Sequence, residues 1–244
     1  MLTSFDRDTP ITVLYRDAHL IAVHKPAGMV VHPTDLARLE KISLMGLVRR
    51  MVRHRIWPVH RLDRPTSGVI VFALDRATAS ELGRQFREYE MEKRYLAVVR
   101  GIPTDQEIDH PLKERPLYRS DMIRSEPFDA VTRLRLLESV ELPVAVGRYP
   151  TSRYALVELT PISGRRHQLR RHMKHIFHPI IGDTTYGDGV HNRFFRDRYA
   201  SHRLLLAAVE LKLTHPQTGE ALTMTAPPDA SFSSVLKELD LTGF

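Results

Sequence analysis

The stretch His60-Arg61-Leu62-Asp63-Arg64-Pro65-Thr66-Ser67-Gly68, running into Val69-Ile70-Val71-Phe72-Ala73-Leu74, decides how the chain reads. The second half is an apolar run of strand length. The first half ends in a Pro65 to Gly68 turn, which allows backbone geometry that an ordinary strand would not hold. Between them sits one acid, Asp63, flanked in sequence by His60, Arg61 and Arg64. Nearby cations favour the charged form of a carboxyl group. Asp63 is therefore expected to stay ionised, an available nucleophile or anionic stabiliser rather than a proton donor. Spacing alone leaves a second reading open, in which Asp63 is a structural ion pair or a turn-former.

Downstream of this strand, Asp75 is a helix N-cap, and Ala79, Leu82, Phe86 and Tyr89 recur at three and four residues, an amphipathic helix. Residues 93–100 then read as a strand closed by Gly101. Upstream, residues 11–15 and 20–23 form a hairpin that delivers Lys25-Pro26-Ala27-Gly28 into a loop, with a short apolar run at 29–31. Residues 36–51 show helical spacing, with Leu36, Leu39, Leu44, Leu47, Val48 and Met51 as buried candidates. Residues 102–129 are polar and proline-interrupted, and are expected to form a long irregular connection. Strands are expected at 130–137 and 153–159, and a basic helix at 165–177 after a Ser163-Gly164 turn. A closing hairpin over 202–225 and a terminal helix at 232–241 complete the chain. Strands outnumber helices and most successive strands are hairpin-linked. The expected fold class is α+β, one domain over 1–244 built on a mostly antiparallel mixed sheet with flanking helices.

At 42% hydrophobic residues the chain can bury a core. Its formal charge of +7 arises from 36 Lys and Arg against 29 Asp and Glu, and the excess is local. Arg165, Arg166, Arg170, Arg171 and Lys174 crowd one segment without an acid, a concentration suited to phosphates and hence to nucleic acid. The absence of cysteine excludes disulfides, thiol nucleophiles and cysteine zinc sites. Residues 1–20 lack the apolar core of a secretory signal, and the apolar runs are far short of the roughly 20 residues a spanning helix needs. The expected location is the cytoplasm. His167, His172, His175 and His178 have spacing that invites a metal. Five cations and no carboxylate surround them, so no metal site is expected.

Four ordered motifs carry a resemblance. They are Lys25-Pro26-Ala27-Gly28, the His60 to Val69 stretch, Lys93-Arg94-Tyr95, and Ser163-Gly164-Arg165-Arg166-His167-Gln168-Leu169-Arg170. Leu204-Leu205-Leu206-Ala207 and His215-Pro216-Gln217-Thr218-Gly219-Glu220 follow in order. Together they resemble the RluA-type pseudouridine synthases over roughly residues 12–228. The resemblance implies the pseudouridine synthase catalytic fold, with an active-site cleft across the sheet and no cofactor. It implies an isomerase that flips a uridine out of RNA, with Asp63 as nucleophile and Tyr95 stacking on the uracil and serving proton transfer at C5. Arg165 is expected to pair with Asp63, Arg61 to fill the gap left in the RNA stack, and Leu169 to wall the pocket. His60, Arg64, Arg166, Arg170, Arg171 and Lys174 are expected to contact the RNA. Pro65, the 142–154 segment and the Arg165 to His172 run draw the chain toward members that act on tRNA, at the uridine of position 65. A ribosomal-RNA synthase is the alternative, and a non-catalytic RNA-binding protein a more distant one. Ser163 and Arg166 stand where Thr and Ser or Thr are commoner in the family. The chain is expected to act as a monomer, without the small N-terminal RNA-binding module of many ribosomal-RNA members.

Overall fold

A computed structural model describes residues 5–32, 42–113 and 126–243. In chain order the elements are β1 (Val13–Arg16), β2 (Leu20–Lys25), α1 (Leu44–Val52), β3 (Trp57–Pro58), β4 (Ser67–Ala73), α2 (Arg76–Arg87), β5 (Glu92–Arg100) and β6 (Gln106–Asp109). Then follow β7 (Val131–Leu142), β8 (Ser152–Pro161), α3 (Gln168–His175), α4 (Gly189–Tyr199), β9 (Leu206–Thr214), β10 (Ala221–Thr225) and α5 (Ala230–Glu238). The strands form a ten-stranded sheet in the order β1-β2-β4-β9-β5-β8-β7-β6, with β10 on β9 and β3 on β4. Its pairings are antiparallel except that of β4 with β9.

That parallel contact depends on one residue. Gly68 has φ +116, and a Cβ there would lie 2.0 Å from the Ala208 carbonyl oxygen. Only glycine lets β4 approach β9 this closely. Every residue of β4 is buried, as its unbroken apolar text requires.

Alternation along the strands divides the core between the two faces of the sheet. On one face, α2 covers Leu20, Ala22, Val69 and Val71 through Leu82, and Phe195 of α4 joins Phe232 and Leu236 of α5 over Leu96, Val98 and Leu156. On the other, Leu44, Leu47 and Val48 of α1 pack on Ile21, Val23, Ile70 and Phe72. Leu169 and Met173 of α3 pack there on Ala97, Val99 and Val157. Tyr95 packs against both clusters of this second face. The gap between α1 and α3 is thus floored by β5.

Several elements differ from their sequence pattern. Of the helix expected over 36–51, residues from Leu44 onward are described as α1; Leu36 and Leu39 lie outside the described residues. Met51 is 40% exposed rather than buried. The 102–129 connection contains β6, paired with β7, and its residues 114–125 lie outside the described ones. The basic helix begins only at Gln168 and ends at His175. α4 was not expected, because Gly189, Val190, His191 and Asn192 are poor helix formers. Asp188 starts it by accepting the Val190 and His191 N–H groups, and an aromatic cluster of Tyr154, Phe194, Phe195 and Tyr199 holds it on the sheet. Among the described residues no helix is long and apolar enough to cross a membrane.

Asp17 joins the β1–β2 turn to the β9–β10 turn. Its carboxylate accepts the His19 and Leu20 N–H groups, the Tyr15 hydroxyl, and His215 at 2.7 Å. Burial works against the charge, but these hydrogen bonds outweigh it and hold the pKa at about 2. A depressed carboxyl pKa contributes stability that is present above the unfolded value near pH 4 and lost as pH falls toward 2. The expected contribution is about 1–2 kcal/mol. Urea titrations at pH 5 and 2.5 should show Asp17→Asn losing less stability between those pH values than the wild type. Equal losses would mean that Asp17 does not carry this window.

Candidate active site

The loop carrying Asp63 is clamped through its backbone. The Thr66 N–H donates to the Asp63 carbonyl at 3.0 Å, closing the turn. The Arg64 carbonyl accepts the Gly28 N–H at 2.8 Å and Lys25 Nζ at 3.0 Å, while Arg64 Nε donates back to the Gly28 carbonyl at 3.0 Å. Lys25-Pro26-Ala27-Gly28 is therefore the dock for the Asp63 loop, and Gly28, at φ +87, supplies the left-handed turn it needs. Lys25 is fully buried. Loss of water, reinforced by nearby Arg203, pushes its pKa down to about 7. On the far side of the loop Arg203 donates to Ser67 Oγ at 2.8 Å.

The Asp63 carboxylate meets Arg170, whose Nη1 lies 3.2 Å from Oδ2, and has His167 Nε2 at 3.8 Å from Oδ1. Arg170 is itself buried and held by Asp183, through Nε at 2.7 Å and Nη2 at 2.9 Å. Asp183 also accepts the N–H groups of Thr185 and Tyr186, and the Tyr186 ring lies 5.2 Å from the Arg170 guanidinium. A line of alternating charge, Asp183 to Arg170 to Asp63, thus reaches from the core to the cleft. Such a pair costs desolvation, which is offset when its donors and acceptors are satisfied; here each Arg170 nitrogen donates to one of the two carboxylates.

This geometry corrects three expectations. Arg165 does not pair with Asp63. Its Nε donates to the Asp129 carbonyl at 3.0 Å and its guanidinium lies over the Phe128 ring at 5.1 Å. Gln168 is the reason: its side-chain oxygen accepts from Ser163 Oγ and the Arg165 N–H, while its amide donates to the Val131 carbonyl and Thr132. That bracket turns Arg165 to the rim and places Arg170, in the first turn of α3, toward Asp63. Arg170 is consequently not a phosphate contact, being 5% exposed and fully engaged with two carboxylates. His60 is not a cation beside Asp63 either. It stacks on Phe86, its Nε2 accepts the Val71 N–H at 2.9 Å, and burial together with Lys93 pushes its pKa down to about 3.

Seven of the predicted residues, among them His60 and Arg170, line one cleft of about 580 Å³, room for a single nucleotide, whereas Arg64, Arg166, Arg171 and Lys174 do not. Tyr95, Leu169 and Asp63 line it, with Arg61, exposed, and Arg165 also on its walls. Burial and the charge of Asp63 push the Tyr95 phenol well above its ordinary range, so it stays protonated at neutral pH. Lys93 lines the same cleft, donates to the Ser163 carbonyl at 3.3 Å, and is lowered by burial to about 8. Arg166, just before α3, and Lys174 within it are exposed, and Arg171 is half-buried. Of the histidines, His172 is buried, with Nδ1 3.0 Å from the Thr132 hydroxyl and Nε2 donating to the His110 carbonyl, and burial lowers it to about 4. His175 stacks on His110 at 3.6 Å. Asp183 was not singled out by sequence. Gly182-Asp183 has no distinctive local pattern, and only its contact with Arg170 reveals it.

The family model described as RNA pseudouridylate synthase matches residues 19–175, a span containing Asp63, Tyr95 and Arg170. The chain is 47% identical to a tRNA pseudouridine synthase C of Vibrio cholerae, covering 93% of this chain and 95% of that one. It is 46% identical to a protein of the same name from Pectobacterium carotovorum, covering 96% of this chain and 64% of that longer protein. Among solved structures, Human RNA Pseudouridylate Synthase Domain Containing 4 superposes with a TM-score of 0.72 at 27% identity, covering 94% of this chain and 93% of that one. With its matched span enclosing the Asp63 loop, β5 and α3, the chain belongs to the RNA pseudouridylate synthase family.

Proposed function

We propose that this chain isomerises a uridine of tRNA, the one at position 65, to pseudouridine, acting in the cytoplasm as one catalytic domain. The observation that carries the reading is the Asp63–Arg170 pair at the wall of a nucleotide-sized cleft beside Tyr95. The reaction breaks the N1–C1′ glycosidic bond, joins C5 to C1′, and moves one proton from C5 to N1. It is redox-neutral and asks for an anionic nucleophile, a place for the detached base and a route for one proton. Asp63 supplies the nucleophile, toward ribose C1′ or uracil C6. Arg170 pairs with that carboxylate and aims it. Tyr95, kept as a neutral phenol, stacks on the flipped uracil; taking the C5 proton would require it to pass on its own proton in the same step. Leu169 walls the base. Arg61, at the mouth, occupies the space the uridine leaves, since a guanidinium can stack and bind phosphate at once. Arg165 and Arg166 on the rim, Arg171 and Lys174 along α3, and Arg64 at the edge of the loop contact the backbone.

The test is a map of pseudouridine in purified tRNA and ribosomal RNA after incubation with the protein. The expected result is one new pseudouridine, at tRNA position 65, formed without added metal or nucleotide. Modification confined to ribosomal RNA would replace the substrate, and no pseudouridine in either would remove the reading.

A further inference from the structure

We propose that Phe177, at the far end of α3, is a stacking platform for a base of the RNA substrate outside the pocket that takes the target uridine; the inference rests on the tRNA reading above. Phe177 is 79% exposed, the most exposed of the large hydrophobic side chains among the described residues. Its backbone is left-handed, at φ +64, in the turn that closes the helix, where its N–H donates to the Lys174 carbonyl at 3.0 Å. Glycine or asparagine is the favoured residue in such a turn. Here a bulky aromatic holds it and gains almost no burial. Neither local backbone preference nor core packing asks for phenylalanine at this position.

The surroundings indicate the occupant. α3 starts at the cleft, where Gln168 and Leu169 form part of the wall; Arg166 lies just before it, and Arg171, half-buried, and Lys174, exposed, lie along it before Phe177. The Phe177 carbonyl accepts from Arg100 Nη2 at 3.3 Å. At 1.5 Å rise per residue Phe177 lies about 13 Å along the helix from Gln168, roughly four base steps of a nucleic-acid strand. An RNA whose backbone follows the cations would bring a base to the ring. A single aromatic among cations suits a base, which needs one flat face and an adjacent phosphate contact. It does not suit a protein partner, which needs a contiguous surface on the order of 800 Å², nor a second copy of this chain, whose own positive face would repel it.

Two effects of opposite sign make the proposal testable on the full chain with a tRNA transcript. Phe177→Gly should be at least as stable as the wild type by thermal melting, because glycine accepts the left-handed turn. It should nevertheless bind tRNA roughly 5- to 100-fold more weakly, with the single-turnover rate at saturating RNA within about twofold. Its salt slope should match the wild type, whereas Lys174→Ala should flatten the slope by roughly 0.7 to 0.9. Phe177→Trp should keep the affinity, and the fluorescence it adds should be quenched by tRNA. Affinity of Phe177→Gly within twofold of wild type would overturn the inference, as would a lowered melting temperature, which would make the ring a packing residue. In either case wild-type pseudouridine formation leaves the reading of the function standing. An inactive wild type would take both down.

Discussion

Asp63→Asn is expected to reduce pseudouridine formation by at least about a thousandfold while tRNA affinity stays within a few fold. The change is nearly isosteric and removes the carboxylate that the cleft presents beside Tyr95, and it also removes a negative charge from a surface expected to bind a polyanion. Arg170→Met should come close to the same loss in the chemical step. Without the guanidinium, Asp63 loses its 3.2 Å partner and Asp183 keeps a buried, uncompensated charge. Leaving a buried ionic partner alone costs roughly 3–5 kcal/mol, part of which will appear as lower stability. Arg165→Met is the contrasting variant. Its side chain is bonded to the Asp129 carbonyl and stacked on Phe128, so it should weaken RNA binding by about tenfold or less and leave the single-turnover rate at saturation nearly unchanged. The Asp63→Asn, Arg170→Met double variant should be no slower than Asp63→Asn alone, since residues that act as a unit are not additive. Single-turnover assays with separate binding measurements decide among these. Wild-type rates in Asp63→Asn would remove the assignment of the nucleophile, and a larger loss in Arg165→Met than in Arg170→Met would reverse the pairing.

The largest stability effect is expected at Asp183→Asn. Asp183 is 2% exposed and accepts four hydrogen bonds, two from Arg170 and two from the Thr185 and Tyr186 backbone. An asparagine amide would turn its NH2 toward some of these donors and leave Arg170 as a buried cation with only Asp63 to answer it. The cost should be roughly 3–5 kcal/mol, a fall in melting temperature on the order of 10 °C for a chain of this size. Because Arg170 would also swing from its mark, the chemical rate should fall while affinity for tRNA changes little. Calorimetry beside the single-turnover assay reads both. An unchanged melting temperature would show that the charge line from Asp183 to Asp63 does not hold this part of the fold.

Much of the molecule is legible in its residues. The unbroken apolar run after Gly68 is a central strand, the spacing of Ala79, Leu82 and Phe86 is α2, and the mostly antiparallel α+β sheet follows from hairpin punctuation. These features are local, because a period of two or 3.6 residues reports which side chains face a core. The motif order likewise pointed to the family, and to Asp63, Tyr95 and Leu169, which the fold brings to one cleft. What the chain text could not decide was which cation serves Asp63. His60, Arg61 and Arg64 are its neighbours in sequence, and Arg165 was the expected partner, yet the ion pair is made by Arg170, 107 positions away. That choice depends on where α3 starts, which Gln168 sets by gripping β7 at Val131 and Thr132, and on Asp183, whose contact with Arg170 exists only once α3 is packed on the sheet. Sequence by itself determined most of the strands and, through the family resemblance, the kind of chemistry. Tertiary structure alone decided the pairing of charges, because an ion pair between distant segments is fixed by strand register and helix placement, and neither leaves a periodic trace in the chain.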